Sequence, residues 1–217
     1  MTVTDIIDIS KKQCEIMLDH EFAFVLYKGE LRLYGISVGN ELSGDIYNRL
    51  IDEVLTKRCK LRAMNLLMER SYTEKKLRLK LERNRYPAVC VDRAMDYVRS
   101  FGYINDMQYA EDYLFYHGKN LNRQQIFLKL RQRGLSEETI KAAYQKFCES
   151  GEQTPEEELI YNQLRKKHFP GIGSCTAEEK NKYFRSLLQK GYSFEAILSA
   201  MRTFSENNNN YSMDYNI

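Results

Sequence analysis

The residue types that most often carry catalysis are sparse in this 217-residue chain and stand apart from one another. Its three histidines, His20, His117 and His168, fall in neither an H-x-x-E-H nor an H-E-x-x-H pattern. Each reads as a surface or structural histidine. No phosphate-cradling Gly-x-x-x-x-Gly-Lys loop, no Gly-x-Gly-x-x-Gly turn and no Gly-x-Ser-x-Gly elbow occurs. Asp and Glu are numerous, but no spacing among them suits a metal. The five cysteines, Cys14, Cys59, Cys90, Cys148 and Cys175, are odd in number and form no Cys-x-x-Cys, so neither a zinc site nor a redox pair is indicated. Cys59, Cys90 and Cys148 fall within helical patterns and read as reduced, partly buried thiols. The expectation is a chain that is not an enzyme and needs no cofactor.

What the residues can do is attract negative charge. The net charge of +3 conceals a strong segregation. Residues 1–53 are net −5, residues 57–85 net +8, residues 119–133 net +5 and residues 134–158 net −5. Lys76, Lys80 and Arg83 recur at i, i+4 and i+7, on a helix face distinct from that of Leu77 and Leu81. Arg70, Lys75, Lys76, Lys80, Arg83, Lys119, Arg123, Lys129 and Arg131 are the candidate partner or nucleic-acid contacts. Such a strip attracts phosphates or an acidic protein surface, with salt-sensitive affinity. A solvated helix face is the plainer alternative. Tyr103, Tyr109, Tyr113 and Tyr116 recur at helical spacing. They suit core and rim positions better than base stacking.

The elements that must position these side chains are mostly helices. Only three prolines and eleven glycines interrupt the chain, and apolar residues amount to 43%, enough for a core. Residues 11–36 read instead as a small antiparallel β meander. Lys12–Leu18 and Phe22–Tyr27 form strands in this reading, Lys28-Gly29-Glu30 a turn, and Leu31 and Leu33 a further strand. Phe22, Phe24 and Leu26 are expected on one face. From Ser43, a plausible N-cap, the period becomes helical, with Ile46, Leu50 and Val54, then Leu61, Met64, Leu67 and Met68. Ser71 or Thr73 caps the next helix, Tyr86-Pro87 breaks it, and Gly102 ends the one after.

A repeat organises the rest. Shifted by 49 residues, Leu77, Leu81, Tyr86, Val91, Ala94 and Val98 fall on Ile126, Leu130, Leu135, Ile140, Ala143 and Phe147. A further shift of 57 brings Leu187, Gly191, Tyr192, Ile197, Ala200 and Phe204 onto the same pattern. Each pair of helices is preceded by a leading helix, near 57–70, 106–117 and 156–168. The expected domains are a β extension over 1–42, three-helix units over 43–104, 105–151 and 152–204, and a disordered, Asn-rich tail over 205–217.

Particular residues resemble a known family. Arg58-x-x-Leu61-x-Ala63-Met64-x-Leu66-Leu67-x-x-Arg70-Ser71-Tyr72-Thr73-Glu74 is similar to the opening of the RecX family, regulators of the RecA recombinase. Phe101-Gly102-Tyr103-Ile104-Asn105-Asp106, with Tyr109-Ala110 and Tyr113, is similar too. So are Leu130-x-x-x-Gly134-Leu135-Ser136 and Leu188-x-x-x-Tyr192-x-x-x-x-Ile197. Glu21–Phe24 with Leu42-Ser43 resembles the β extension of longer members. The resemblance covers residues 12–204.

The resemblance implies a mainly α fold of three tandem, helix-turn-helix-like three-helix repeats in an elongated curved array. It also implies a non-enzymatic regulator that lies in the groove of the RecA filament on single-stranded DNA. Such a protein lowers the filament's ATPase and strand exchange in recombinational DNA repair. Asp106 is expected to cap the helix that begins there. The alternative is a sequence-tolerant nucleic-acid-binding helical module without a recombinase partner, and a purely structural adaptor is a third reading. A cytoplasmic monomer without membrane contact is expected, since the N-terminus lacks the pattern of a signal peptide and no long apolar run occurs.

Overall fold

The computed structural model describes the backbone of residues 1–213 and the side chains of residues 1–206. The described residues fold as two compact bodies, one of residues 1–106 and one from Met107 onward. The fold is mainly helical, with one three-stranded antiparallel sheet at its N-terminus.

The sheet is a meander of β1 (Val3–Asp8), β2 (Gln13–Leu18) and β3 (Glu21–Tyr27). It starts earlier than the sequence pattern indicates. The acidic N-terminal segment supplies β1, with Val3 buried and Asp5 and Asp8 exposed. The expected strand through Leu31 and Leu33 is instead a helix, α1 (Lys28–Tyr34). Two end signals outweigh the alternation there. The Glu30 carboxylate accepts the Tyr27 N–H at 2.8 Å, and Gly35 closes the helix at φ +63°.

Cys14, Ile16, Leu18, Phe24 and Leu26 form the buried sheet face. Phe22, expected beside Phe24, is 40% exposed. A register shift between Ile16 and Met17 pairs Met17 with Phe22, and this irregularity turns the ring outward.

Ser43 accepts the Ile46 N–H and opens α2 (Gly44–Arg49). A π-helical turn over Leu50–Leu55 carries the rod into α3 (Thr56–Glu69). The buried stripe of α3 is Cys59, Ala63 and Leu66, at i, i+4 and i+7. Met64 and Leu67 are half-buried as expected, whereas Leu61 and Met68 point to solvent at 65% and 81% exposure. Small residues line the contact with α5 (Ala88–Ser100), which presents Cys90 and Ala94. Burial pushes the Cys59 thiol up to about 12, so it stays protonated and inert.

Between them lies α4 (Glu74–Arg83), capped by the Thr73 hydroxyl and anchored by Leu77 and Leu81, both fully buried. Asp106 differs from expectation. Its carboxylate accepts the Glu74 N–H at 2.9 Å, so it caps α4. Burial, opposed by that hydrogen bond, raises its pKa.

The second body holds two separate cores. One joins α6 (Asp106–His117), α7 (Arg123–Gln132) and α8 (Glu137–Glu149) around Leu114, Ile126, Leu130 and Ile140. The other joins α9 (Glu156–Lys166), α10 (Ala177–Gln189) and α11 (Phe194–Met213) around Ile160, Leu164, Leu187 and Ile197. The expected tail begins inside α11. No glycine or proline follows Phe204, so nothing terminates the helix there, and it runs to Met213. Residues 214–217 of that expectation lie outside the described residues.

Candidate partner surface

Leu77 and Leu81 fix the rotation of α4, and that rotation determines what the helix offers to solvent. Lys76, Lys80 and Arg83 line one flank of the buried pair, and Lys75 lies further round. All four are exposed. None forms an ion pair among the described residues, although Arg78 on the opposite flank pairs with Asp92 at 2.6 Å. Arg70, just before the helix, is exposed and places its guanidinium 4.8 Å from the Tyr72 ring centre.

The candidates of the second body are placed differently. Lys129 is exposed and without an ion pair among the described residues. Lys119 pairs with Glu152 at 3.1 Å. Arg131 grips Glu137 through two hydrogen bonds, 2.7 and 3.0 Å, and this bidentate contact depresses the Glu137 pKa. Arg123 lies 5.1 Å from the Phe127 ring and 5.9 Å from that of Tyr144. Lys80 and Lys129 are repeat equivalents. Gln125 and Gln132 stand where the first pair has Lys76 and Arg83, so the strip of α4 is not repeated on α7.

The tyrosines divide. Tyr113 is buried beneath the Arg133 guanidinium, and the Tyr109 hydroxyl accepts from Arg133 at 3.2 Å. Tyr103 stacks on Phe101 at 5.7 Å, and Tyr116 is exposed beside Phe115. The histidines occupy turns and helix ends: His20 and His168 have left-handed backbone, and His117 sits against Tyr113. Among the described residues no group of three His, Cys, Asp or Glu is placed to hold a metal, and no helix is long and apolar enough to cross a membrane.

One basic feature does not show in the charge of any single segment. An open groove of about 660 Å³ runs between α7 and the end of α10. Arg123, Gln124, Arg131, Lys141, Gln189 and Lys190 line it. Lys141 lies in a segment of net −5, and Lys190 beyond every basic block considered. Only the Arg165-Lys166-Lys167-His168 run hinted at a third block.

Residues 155–201, the α9–α11 region, match the family model described as RecX, third three-helix domain. A regulatory protein RecX of Clostridium botulinum (strain Alaska E43 / Type E3) is 23% identical over 193 residues, 89% of this chain and 90% of that protein. The regulatory protein RecX of Clostridium acetobutylicum is 24% identical over 202 residues, 91% and 93% of the two chains. A crystal structure of regulatory protein RecX shares the fold, with a TM-score of 0.57 at 22% identity over 90% of this chain and 96% of that one. Over about nine-tenths of its length, the family that this chain resembles in sequence and in fold is RecX, the regulatory proteins.

Proposed function

We propose that the chain regulates a RecA-type recombinase by binding its filament on single-stranded DNA, and that binding lowers ATP hydrolysis and strand exchange. In this reading the helices form three consecutive three-helix units, and the contact is electrostatic. The single observation that carries it is the exposed row Lys76, Lys80 and Arg83 on α4, with Lys75 beside it, free of carboxylate partners among the described residues. Exposed cations that no internal carboxylate neutralises keep their charge for an external polyanion. The regulatory name of the similar proteins agrees with a protein that modulates a partner and does not itself turn over a substrate.

The test is a purified recombinase assay of DNA-dependent ATP hydrolysis. The wild-type chain reduces hydrolysis. Lys76→Glu/Lys80→Glu/Arg83→Glu, with its helical circular dichroism intact, loses that effect. Binding to free single-stranded DNA as tight as to the filament at matched salt favours the nucleic-acid module without a recombinase partner.

A further inference from the structure

The least compensated cations of the second body lie on α9 and α10. Residues 165–190 contain seven lysines and arginines against Glu178 and Glu179. Arg165, Lys166, Lys167, Lys182, Arg185 and Lys190 form no ion pair among the described residues. Two of them donate to neutral acceptors, while Lys182 acts on the carboxylate of Glu179 without pairing with it. The Lys167 ammonium donates to the Ser186 hydroxyl, and the Lys190 ammonium to the Gln163 side-chain carbonyl. Such acceptors orient an ammonium but do not cancel its charge. Lys190 is also half-buried, and its backbone carbonyl accepts from the Asn122 side chain at 3.0 Å. Burial first, then the charges of Lys167 and Lys166, lowers its pKa. The α9 C-terminal dipole offsets only about half an elementary charge of this surplus.

The shape around these charges is that of a track. The groove between α7 and α10 meets a second, smaller trough of about 420 Å³ at Gln189, which lines both. The second trough is lined by Glu178, Asn181, Lys182, Arg185 and Ser186, two cations against one carboxylate. Arg123, Lys141 and Lys190 line the first trough, and Arg185 and Lys182 the second. Glu137, in the first groove, is already taken up by Arg131. Cations spaced along two adjoining open troughs suit a chain of evenly spaced monovalent anions better than one compact ligand.

We propose that this path binds the phosphodiester backbone of a single nucleic-acid strand, with Lys190, Arg185 and Lys182 as phosphate contacts. The inference deepens the proposed function and rests on the reading that single-stranded DNA is engaged, but it concerns a surface distinct from α4. Its test therefore uses no recombinase. Full-length protein is titrated into a fluorescein-labelled oligo-dT across a salt series, and binding is followed by anisotropy. Each phosphate contact to a single strand contributes about 0.7 to the slope of log K against log salt. Lys182→Gln/Arg185→Gln/Lys190→Gln should therefore flatten the slope by about 2, and Lys182→Gln/Arg185→Gln, which spares the half-buried lysine, by about 1.4. An unchanged slope in the folded double variant overturns the proposal. So does a wild-type chain without salt-dependent oligo-dT binding, or equal competition by polyglutamate of the same length. Each of these results can coexist with an α4 variant that abolishes inhibition of the recombinase, so failure here is distinguishable from failure of the proposed function.

Discussion

The α4–α5 and α7–α8 pairs set equivalent residues to different uses. Both bury the same positions: Leu77, Leu81, Val91 and Ala94 in one, Ile126, Leu130, Ile140 and Ala143 in the other. Both turns pass through left-handed backbone, at Arg85 (φ +62°) and Gly134 (φ +93°), and the α10–α11 turn does so at Gly191 (φ +85°). Around this common skeleton the charges differ. On α4 the cations of one flank have no carboxylate partner among the described residues, whereas Arg131 of α7 and nearby Lys119 are occupied by Glu137 and Glu152. Net charge counted along a segment therefore does not measure the charge that a partner meets. The carboxylates that neutralise Lys119 and Arg131 come from the acidic stretch 134–158, which segment sums keep apart from them.

The comparison breaks most severely in the cores. Leu81→Ala and Leu130→Ala should each cost about 2–5 kcal/mol in chemical denaturation, since both side chains are fully buried at equivalent sites. A negligible cost at either would mean that the repeat does not share a packing scheme.

The next effect is on binding. Reversal of charge at Lys76, Lys80 and Arg83 should weaken filament inhibition at least about tenfold, or about 1.4 kcal/mol. Lys119→Gln/Arg131→Gln should change it less than about threefold, or about 0.65 kcal/mol, because Glu152 and Glu137 already offset those two charges. Equal losses in the two variants would show that the internal carboxylates do not withhold those charges.

The turns sharpen the comparison further. Gly134→Ala forces a Cβ into left-handed backbone and should cost about 1–2 kcal/mol. Gly191→Ala should cost more, because its Cβ would also collide with the Gln124 side chain. At Arg85 the backbone conformation is maintained by its contacts. The side chain pairs with Glu15 of β2 and lies 5.1 Å from the Phe22 ring of β3, so it ties the turn to the sheet. Arg85→Ala loses the contacts and keeps the strain, whereas Arg85→Gly loses the contacts and relieves the strain. Their melting curves should differ by about 1 kcal/mol in favour of glycine. A contrast of similar size is expected at Asp106. Asp106→Ala should cost about 1 kcal/mol by uncapping Glu74, whereas Asp106→Asn keeps an acceptor and should be close to neutral.

The residues that were legible in the sequence are those whose signals are local. Ser43 and Thr73 cap helices where the pattern places them, and the plug positions Leu135 and Tyr192 are buried as the repeat requires. Helix α1 is not legible in the sequence because Leu31 and Leu33 alternate like a strand, while its decisive contact runs from Glu30 back to the Tyr27 N–H. Leu61 and Met68 look like core residues, but the narrower stripe of Cys59, Ala63 and Leu66 lets α3 approach α5 closely. For the candidate surface, the α4 strip was legible because its cations lie on one helix within two turns. The α7–α10 track was not, because Arg123 and Lys190 are 67 positions apart and only folding brings them to one groove.

The central claim is that the unpaired cations of α4 make the contact with the recombinase filament. Its most direct test is the inhibition of DNA-dependent ATP hydrolysis by the wild-type chain and by Lys76→Glu/Lys80→Glu/Arg83→Glu, titrated in parallel at fixed salt. The account predicts inhibition by the wild type and at least about tenfold more variant protein for the same effect. Superimposable titrations, with the variant's circular dichroism and melting curve unchanged, would contradict it.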